Sequence, residues 1–157
     1  MVLLKHLPVP KVLECMHFAA SSDTEGRRTV KNYEFDLYLE SERSIYINGK
    51  PYTAKKDSLV FKKPGEFIVG NGNYDMYSLT LDFSHNNDNP AHLYRAVEGN
   101  PQPLFDFFEL DAIPSVFTPE HPDELKHLLK RLSECSYPNI TNRELQEEYV
   151  KEFLWLV

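Results

Sequence analysis

Between Ile45 and Glu66 the chain reads IYINGKPYTAKKDSLVFKKPGE. Apolar and polar residues alternate, the chain turns at Asn48-Gly49, alternates again, turns near Lys56-Asp57-Ser58, runs through Leu59-Val60-Phe61 and stops at Pro64-Gly65. Asn-Gly between alternating runs is a strong short-range hairpin signal, because both residues accept the positive φ of a type I′ turn. Short strands on tight turns, in a chain with further β-type runs, restrict the fold to a small antiparallel barrel or sandwich.

The rest of the chain fits that restriction. Val12 to Ala19 is an expected strand, and Ser21 to Arg28 an expected polar loop. Tyr33 to Leu39 places Tyr33, Phe35, Leu37 and Leu39 on one face. Glu34, Asp36, Tyr38 and Glu40 fall on the other, which reads as solvated. Phe67-Ile68-Val69 and Tyr74 to Phe83 are further strands. Leu104 to Leu110 suggests a short helix, and Ile113 to Phe117 a last strand. The period then changes. Leu125, Leu128, Leu129 and Leu132 recur at helical spacing. Thr141-Asn142-Arg143-Glu144 matches a capping box before a second helix, and the short Pro-containing link predicts an antiparallel pair. The expected organisation is an arm over residues 1–10, a ligand-sensing barrel over 11–118 and a helical hairpin over 119–157. The chain stops on the apolar turn Leu154-Trp155-Leu156-Val157, so a further domain downstream is expected.

Composition narrows the function. A net charge of −7 argues against direct nucleic-acid binding, which needs clustered Lys and Arg. Lys55, Lys56, Lys62 and Lys63 form a local cluster that reads as a solvated hairpin edge. Cys15 and Cys135 have neither disulfide-scaffold nor metal-ligand spacing, and no run reaches transmembrane length. A cytoplasmic protein without membrane contact is expected. The six histidines, His6, His17, His85, His92, His121 and His127, never pair at i, i+2 or i, i+4, so no metal is expected. Nucleophile elbow, P-loop and dinucleotide fingerprints are absent, so no catalytic residue is assigned.

The order of these pieces resembles the N-terminal cupin-like sensor domain of AraC-type transcription regulators. The resemblance runs over roughly Val12 to Val157: the Tyr33–Leu39 strand, the Asn48-Gly49-Lys50 hairpin, the Asp57–Gly65 unit, the Leu79–Phe83 strand, then two helices. It implies a cupin or jelly-roll double-stranded β-barrel followed by an antiparallel helical hairpin. It also implies a small polar effector such as a sugar, a homodimer, and DNA contact only through a helix-turn-helix domain lying beyond this chain. Metal-dependent cupins carry His-x-His on a strand, where this chain has Tyr33-Glu34-Phe35 and, after Pro64-Gly65, Glu66-Phe67-Ile68. No cofactor is therefore expected.

A small barrel can hold one small ligand. Arg27 and Arg28 are candidate donors, and Tyr33, Phe35, Phe67, Tyr74 and Tyr77 candidate aromatic walls. On the last helix, Leu145, Tyr149, Phe153 and Leu156 form one apolar stripe, the candidate dimer contact; Val150, Leu154 and Val157 form another. Two alternatives stay open: a stand-alone cupin enzyme such as a sugar isomerase or epimerase, and a filled barrel that serves only as an interaction module.

Overall fold

The computed structural model of the chain describes residues 8–20, 26–84, 101–136 and 142–157. Its first eight strands are β1 (Lys11–Ala20), β2 (Gly26–Thr29), β3 (Tyr33–Tyr38), β4 (Arg43–Ile47), β5 (Lys50–Ala54), β6 (Leu59–Lys62), β7 (Phe67–Asn71) and β8 (Tyr74–Asp82). They are followed by α1 (Phe108–Asp111), β9 (Val116–Phe117), α2 (Pro122–Cys135) and α3 (Arg143–Leu156).

Two antiparallel sheets result, with strand orders β1-β8-β3-β6-β9 and β2-β7-β4-β5. Setting aside the edge strand β9, this is the order of an eight-stranded jelly roll, the double-sheet architecture that cupins share with lectin and capsid domains. Local chemistry fixes the register. Asn48 and Gly49 take φ of 49° and 81°, so Ile47 pairs Lys50 across a two-residue turn. Asp57 at φ 69° and Gly65 at φ 89° make the next two turns.

The larger sheet is covered on both faces, which the alternation could not reveal. Its outer face, with Cys15, Tyr33, Phe35, Leu37, Leu59, Phe61, Leu79 and Leu81, packs under Leu125, Leu129 and Leu132 of α2 and Val150, Phe153 and Leu154 of α3. Phe35 stacks on Phe61 at 4.5 Å between ring centroids and meets Phe153 edge-on at 5.3 Å. Its inner face turns toward the smaller sheet, where Tyr38 and Val60 join Val30, Ile45, Ile47, Ala54 and Ile68 in a second core. Glu34 and Asp36 lie on that inner face and are 0% exposed, so the expected solvated face is the barrel interior. Lys62 is likewise buried, whereas Lys55 and Lys56 are exposed as the hairpin-edge expectation has them.

Other expectations shift locally. Pro10 is buried and Val9 packs on the core; residues 1–7 of the expected arm lie outside the described residues. The helix within Leu104–Leu110 shortens to the four residues of α1, and the last strand to Val116-Phe117. Segment 101–107 is fastened instead by Gln102, whose side-chain amide donates to Asn32 Oδ1 at 2.9 Å and Leu81 O at 2.8 Å. Thr141 of the expected capping box lies outside the described residues; Asn142 caps α3, its Oδ1 accepting from the Leu145 amide at 3.2 Å. Asn is as strong an N-cap as Thr, which accounts for the one-residue shift. The end of α2 meets the start of α3, where Gln146 donates to Ser136 Oγ at 3.1 Å. Asp123 and Glu124, at the opposite end of α2, share a groove with Glu152 and Leu156.

The candidate dimer stripe is largely used within the chain. Phe153 is 0% exposed and belongs to the core, while Tyr149 and Leu156 pack against it. Val150, Leu154 and Val157 are buried too. A helix that must cover both a sheet and a neighbouring helix turns two stripes inward. Leu145 stays exposed, as does Trp155, which the stripes omitted.

Candidate functional site

The inner face of the larger sheet carries charge at a regular spacing. Glu14 of β1 pairs across Thr80 of β8, Thr80 across Glu34 of β3, and Glu34 across Lys62 of β6, so four strands contribute one polar row. The adjacent row is Met16, Ser78, Asp36 and Val60. Buried ionic groups cost several kcal/mol each unless closely matched, so their partners matter. Arg28 donates to Glu34 through both terminal nitrogens, at 2.7 and 2.5 Å, a bidentate pair spanning the two sheets. Lys62 Nζ lies 2.6 Å from Asp36 Oδ2 and 3.8 Å from Glu34 Oε2. Asp36 Oδ1 has no hydrogen-bond partner among the described residues.

Above these pairs, between the sheets, is a cavity of about 460 Å³, within the usual range for small-molecule sites. Its charged lining is Arg27, Arg28, Arg43 and Lys62; Tyr38, Tyr74 and Ser78 add hydroxyls; Phe18, Ile45, Ile68 and Met76 add apolar wall. Tyr38 is deeply buried, and burial followed by the nearby Asp36 charge pushes its hydroxyl well above the ordinary tyrosine range. It stays a neutral donor and acceptor.

Strand β4 aims Arg43, Ile45 and Ile47 at the interior by its period of two. The guanidinium of Arg43 crosses β7 at Gly70, where a Cβ would stand 2.4 Å from Nη2 and 2.6 Å from Nε. Only glycine leaves room for that crossing. Arg43 Nη1 donates to the Gly72 carbonyl at 2.8 Å, and the guanidinium lies 4.8 Å from the centre of the Tyr74 ring.

Of the residues singled out in the sequence, Arg27, Arg28 and Tyr74 line this cavity together. The two arginines stand on β2 and not in a loop, because residues 26–29 pair with Phe67–Gly70 of β7. The other four lie elsewhere. Tyr33 and Phe35 are on the helix-covered face, where Tyr33 Oη accepts from the Phe105 amide at 2.8 Å. Tyr77 packs beside that face against the His17 ring, 5.3 Å between centroids. Phe67 is 43% exposed, pointing away from the cavity that its neighbour Ile68 enters. Burial raises the hydroxyls of Tyr33 and Tyr77 above the ordinary range. Missed were Tyr38, Arg43, Lys62 and Ser78, although Arg43 shares the period of Ile45 and Ile47 and Lys62 that of Val60.

Among the described residues no group of three His, Cys, Asp or Glu side chains is placed to hold a metal ion. The interior carboxylates of Glu34 and Asp36 already face Arg28 and Lys62, an arrangement that does not fit a cation. No helix of the described residues is long and apolar enough to cross a membrane.

No protein-family model and no curated protein matches this sequence. Among solved structures it is similar to the EutQ protein of Clostridium difficile, at 19% identity and a TM-score of 0.41, over 48% of this chain and 68% of that one. It is similar to a cupin 2 conserved barrel domain protein of Salinispora arenicola, at 16% identity and a TM-score of 0.39, over 49% of this chain and 71% of that one. Likeness to the plu4264 protein of Photorhabdus luminescens, at 16% identity and a TM-score of 0.41, covers 43% of this chain and 61% of that one. The chain thus spans about three fifths of the Photorhabdus protein's length. The jelly-roll assignment rests on the strand order.

Proposed function

We propose that this chain is a small-molecule sensing domain whose jelly-roll barrel binds a polar effector, in the manner of the N-terminal half of an AraC-type regulator. The observation that carries this is the cavity between the sheets. It is large enough for one small ligand, walled by apolar side chains, and supplied with fixed donors from Arg43, Tyr38 and Ser78. The order of barrel then helices supports the regulator context. Effector binding would bias the packing of the helices against the sheet and so the placement of a DNA-binding domain.

The test is thermal unfolding against a library of sugars, polyols and organic acids. A ligand present at about 100 times its Kd stabilises the native state by ~2.7 kcal/mol. For a domain of this size that raises Tm by about 5–10 °C. Failure of every polar compound to raise Tm contradicts the sensing function.

A further inference from the structure

The cations of the cavity are not equivalent. Arg28 and Lys62 face Glu34 and Asp36, two positive charges against two negative ones. Arg43 has no carboxylate partner: among the described residues its polar contacts are the Gly72 carbonyl and the Tyr74 ring. Glu14 and Asp82 lie on the larger sheet and are not part of the cavity lining.

The guanidinium is nevertheless held in place. Gly70 opens the notch it crosses, and its Cβ-free backbone is the condition for that seat. Gly26, which pairs with Gly70 on the neighbouring strand, lies beside the seat, where a Cβ would make only an ordinary contact of 3.6 Å with Arg43 Nη2. One of the five guanidinium N–H donors is spent on Gly72, leaving the fork available. A fixed cation with no carboxylate partner among the described residues, in a cavity walled by Phe18, Ile45, Ile68 and Met76, is a receptor for an anion. A neutral ligand would desolvate the guanidinium and return no charge. The ordering cost on the protein side is already met by the seat, which favours affinity.

On the footing of a ligand-binding barrel, we propose that the cavity selects a small organic monocarboxylate, anchored bidentately by Arg43. One guanidinium fork matches one carboxylate, and Arg27, the fourth cation of the lining, is already engaged within the chain. The apolar wall takes the ligand's carbon body, while Tyr38 and Ser78 face its polar substituents.

Calorimetric titration of the whole chain compares two carboxylates, phenylacetate and D-glucuronate, with phenylacetamide, D-glucose and inorganic phosphate. At least one carboxylate binds, at least 10-fold more tightly than its neutral counterpart. Arg43→Gln weakens that binding about 10- to 100-fold, the scale of a charge-assisted hydrogen bond. Arg43→Lys falls between, since an ammonium cannot reproduce the fork. Gly70→Ala keeps the charge but closes the seat, and weakens carboxylate binding while circular dichroism stays native. Equal binding of the neutral counterparts, indifferent to Arg43→Gln, overturns the carboxylate assignment and leaves the sensing barrel standing. Tighter binding of phosphate than of either carboxylate overturns it too. Absence of binding by both carboxylates at millimolar concentration overturns the carboxylate assignment, while the sensing function stands or falls with the thermal-unfolding library.

Discussion

Replacing Lys62 with methionine removes one ammonium from a barrel interior where its two carboxylate neighbours are wholly buried. The Lys62 side chain is 7% exposed, Asp36 1% and Glu34 0%. Glu34 keeps its two bonds from Arg28. Asp36 loses the ammonium 2.6 Å away, and its Oδ1 already has no hydrogen-bond partner among the described residues. Breaking a buried pair by removing one member costs about 3–5 kcal/mol, because the remaining charge is uncompensated. For a domain of this length that lowers Tm by roughly 6–20 °C. Urea unfolding followed by circular dichroism measures the cost directly. Asp36→Asn in the Lys62→Met background should recover a large part of it, with a coupling energy of about 1–3 kcal/mol between the two sites. A Lys62→Met protein within about 0.5 kcal/mol of the parent, the usual spread for surface changes, would show that Lys62 sits in water and would refute this account of the interior.

Both cysteines are buried, and burial is the largest cause raising each thiol above its ordinary range. They should resist a thiol reagent at pH 8 and react only as urea unfolds the chain; fast labelling of the native protein contradicts that placement. The buried thiol of Cys15 also sets a pH dependence. Its stabilisation is fully present below the unfolded thiol pKa of about 8.5 and is lost above it, at up to ~1.4 kcal/mol per pH unit, as the unfolded state releases a proton that the native state keeps. Cys15→Ala should flatten that alkaline fall, and an unchanged slope argues against it. If the chain pairs with a second copy through α3, the contact must use its outward apolar residues Leu145 and Trp155. Leu145→Glu with Trp155→Glu should then turn a dimer into a monomer by light scattering; a parent chain that is already monomeric rules out that contact.

The turns were legible because they are local chemistry: Asn48-Gly49 specifies its own backbone and with it the β4–β5 register. Alternation along β3 separated Tyr33, Phe35 and Leu37 from Glu34, Asp36 and Tyr38, but periodicity says only that two faces differ. Which face becomes the barrel interior depends on what covers each. Here α2 and α3 cover the aromatic face, so the charged face became the barrel interior. The same fact moved Tyr33 and Phe35 out of the site. Arg27 and Arg28 looked like loop residues because no short-range signal announces that β2 will pair with β7. Arg43 was discoverable: an arginine in register with two inward isoleucines is either buried at a cost or placed for use. The seat itself was not, since the closeness of Gly70 to Arg43 is made by strand pairing across the smaller sheet.

The most direct test of the central claim is an amide chemical-shift titration of the isotopically labelled chain with phenylacetate and D-glucuronate. Binding in the barrel predicts shifts centred on Arg28, Arg43, Gly70, Tyr74, Met76 and Ser78, all lining the cavity. Shifts confined to α2 and α3, or none from either compound, would contradict it.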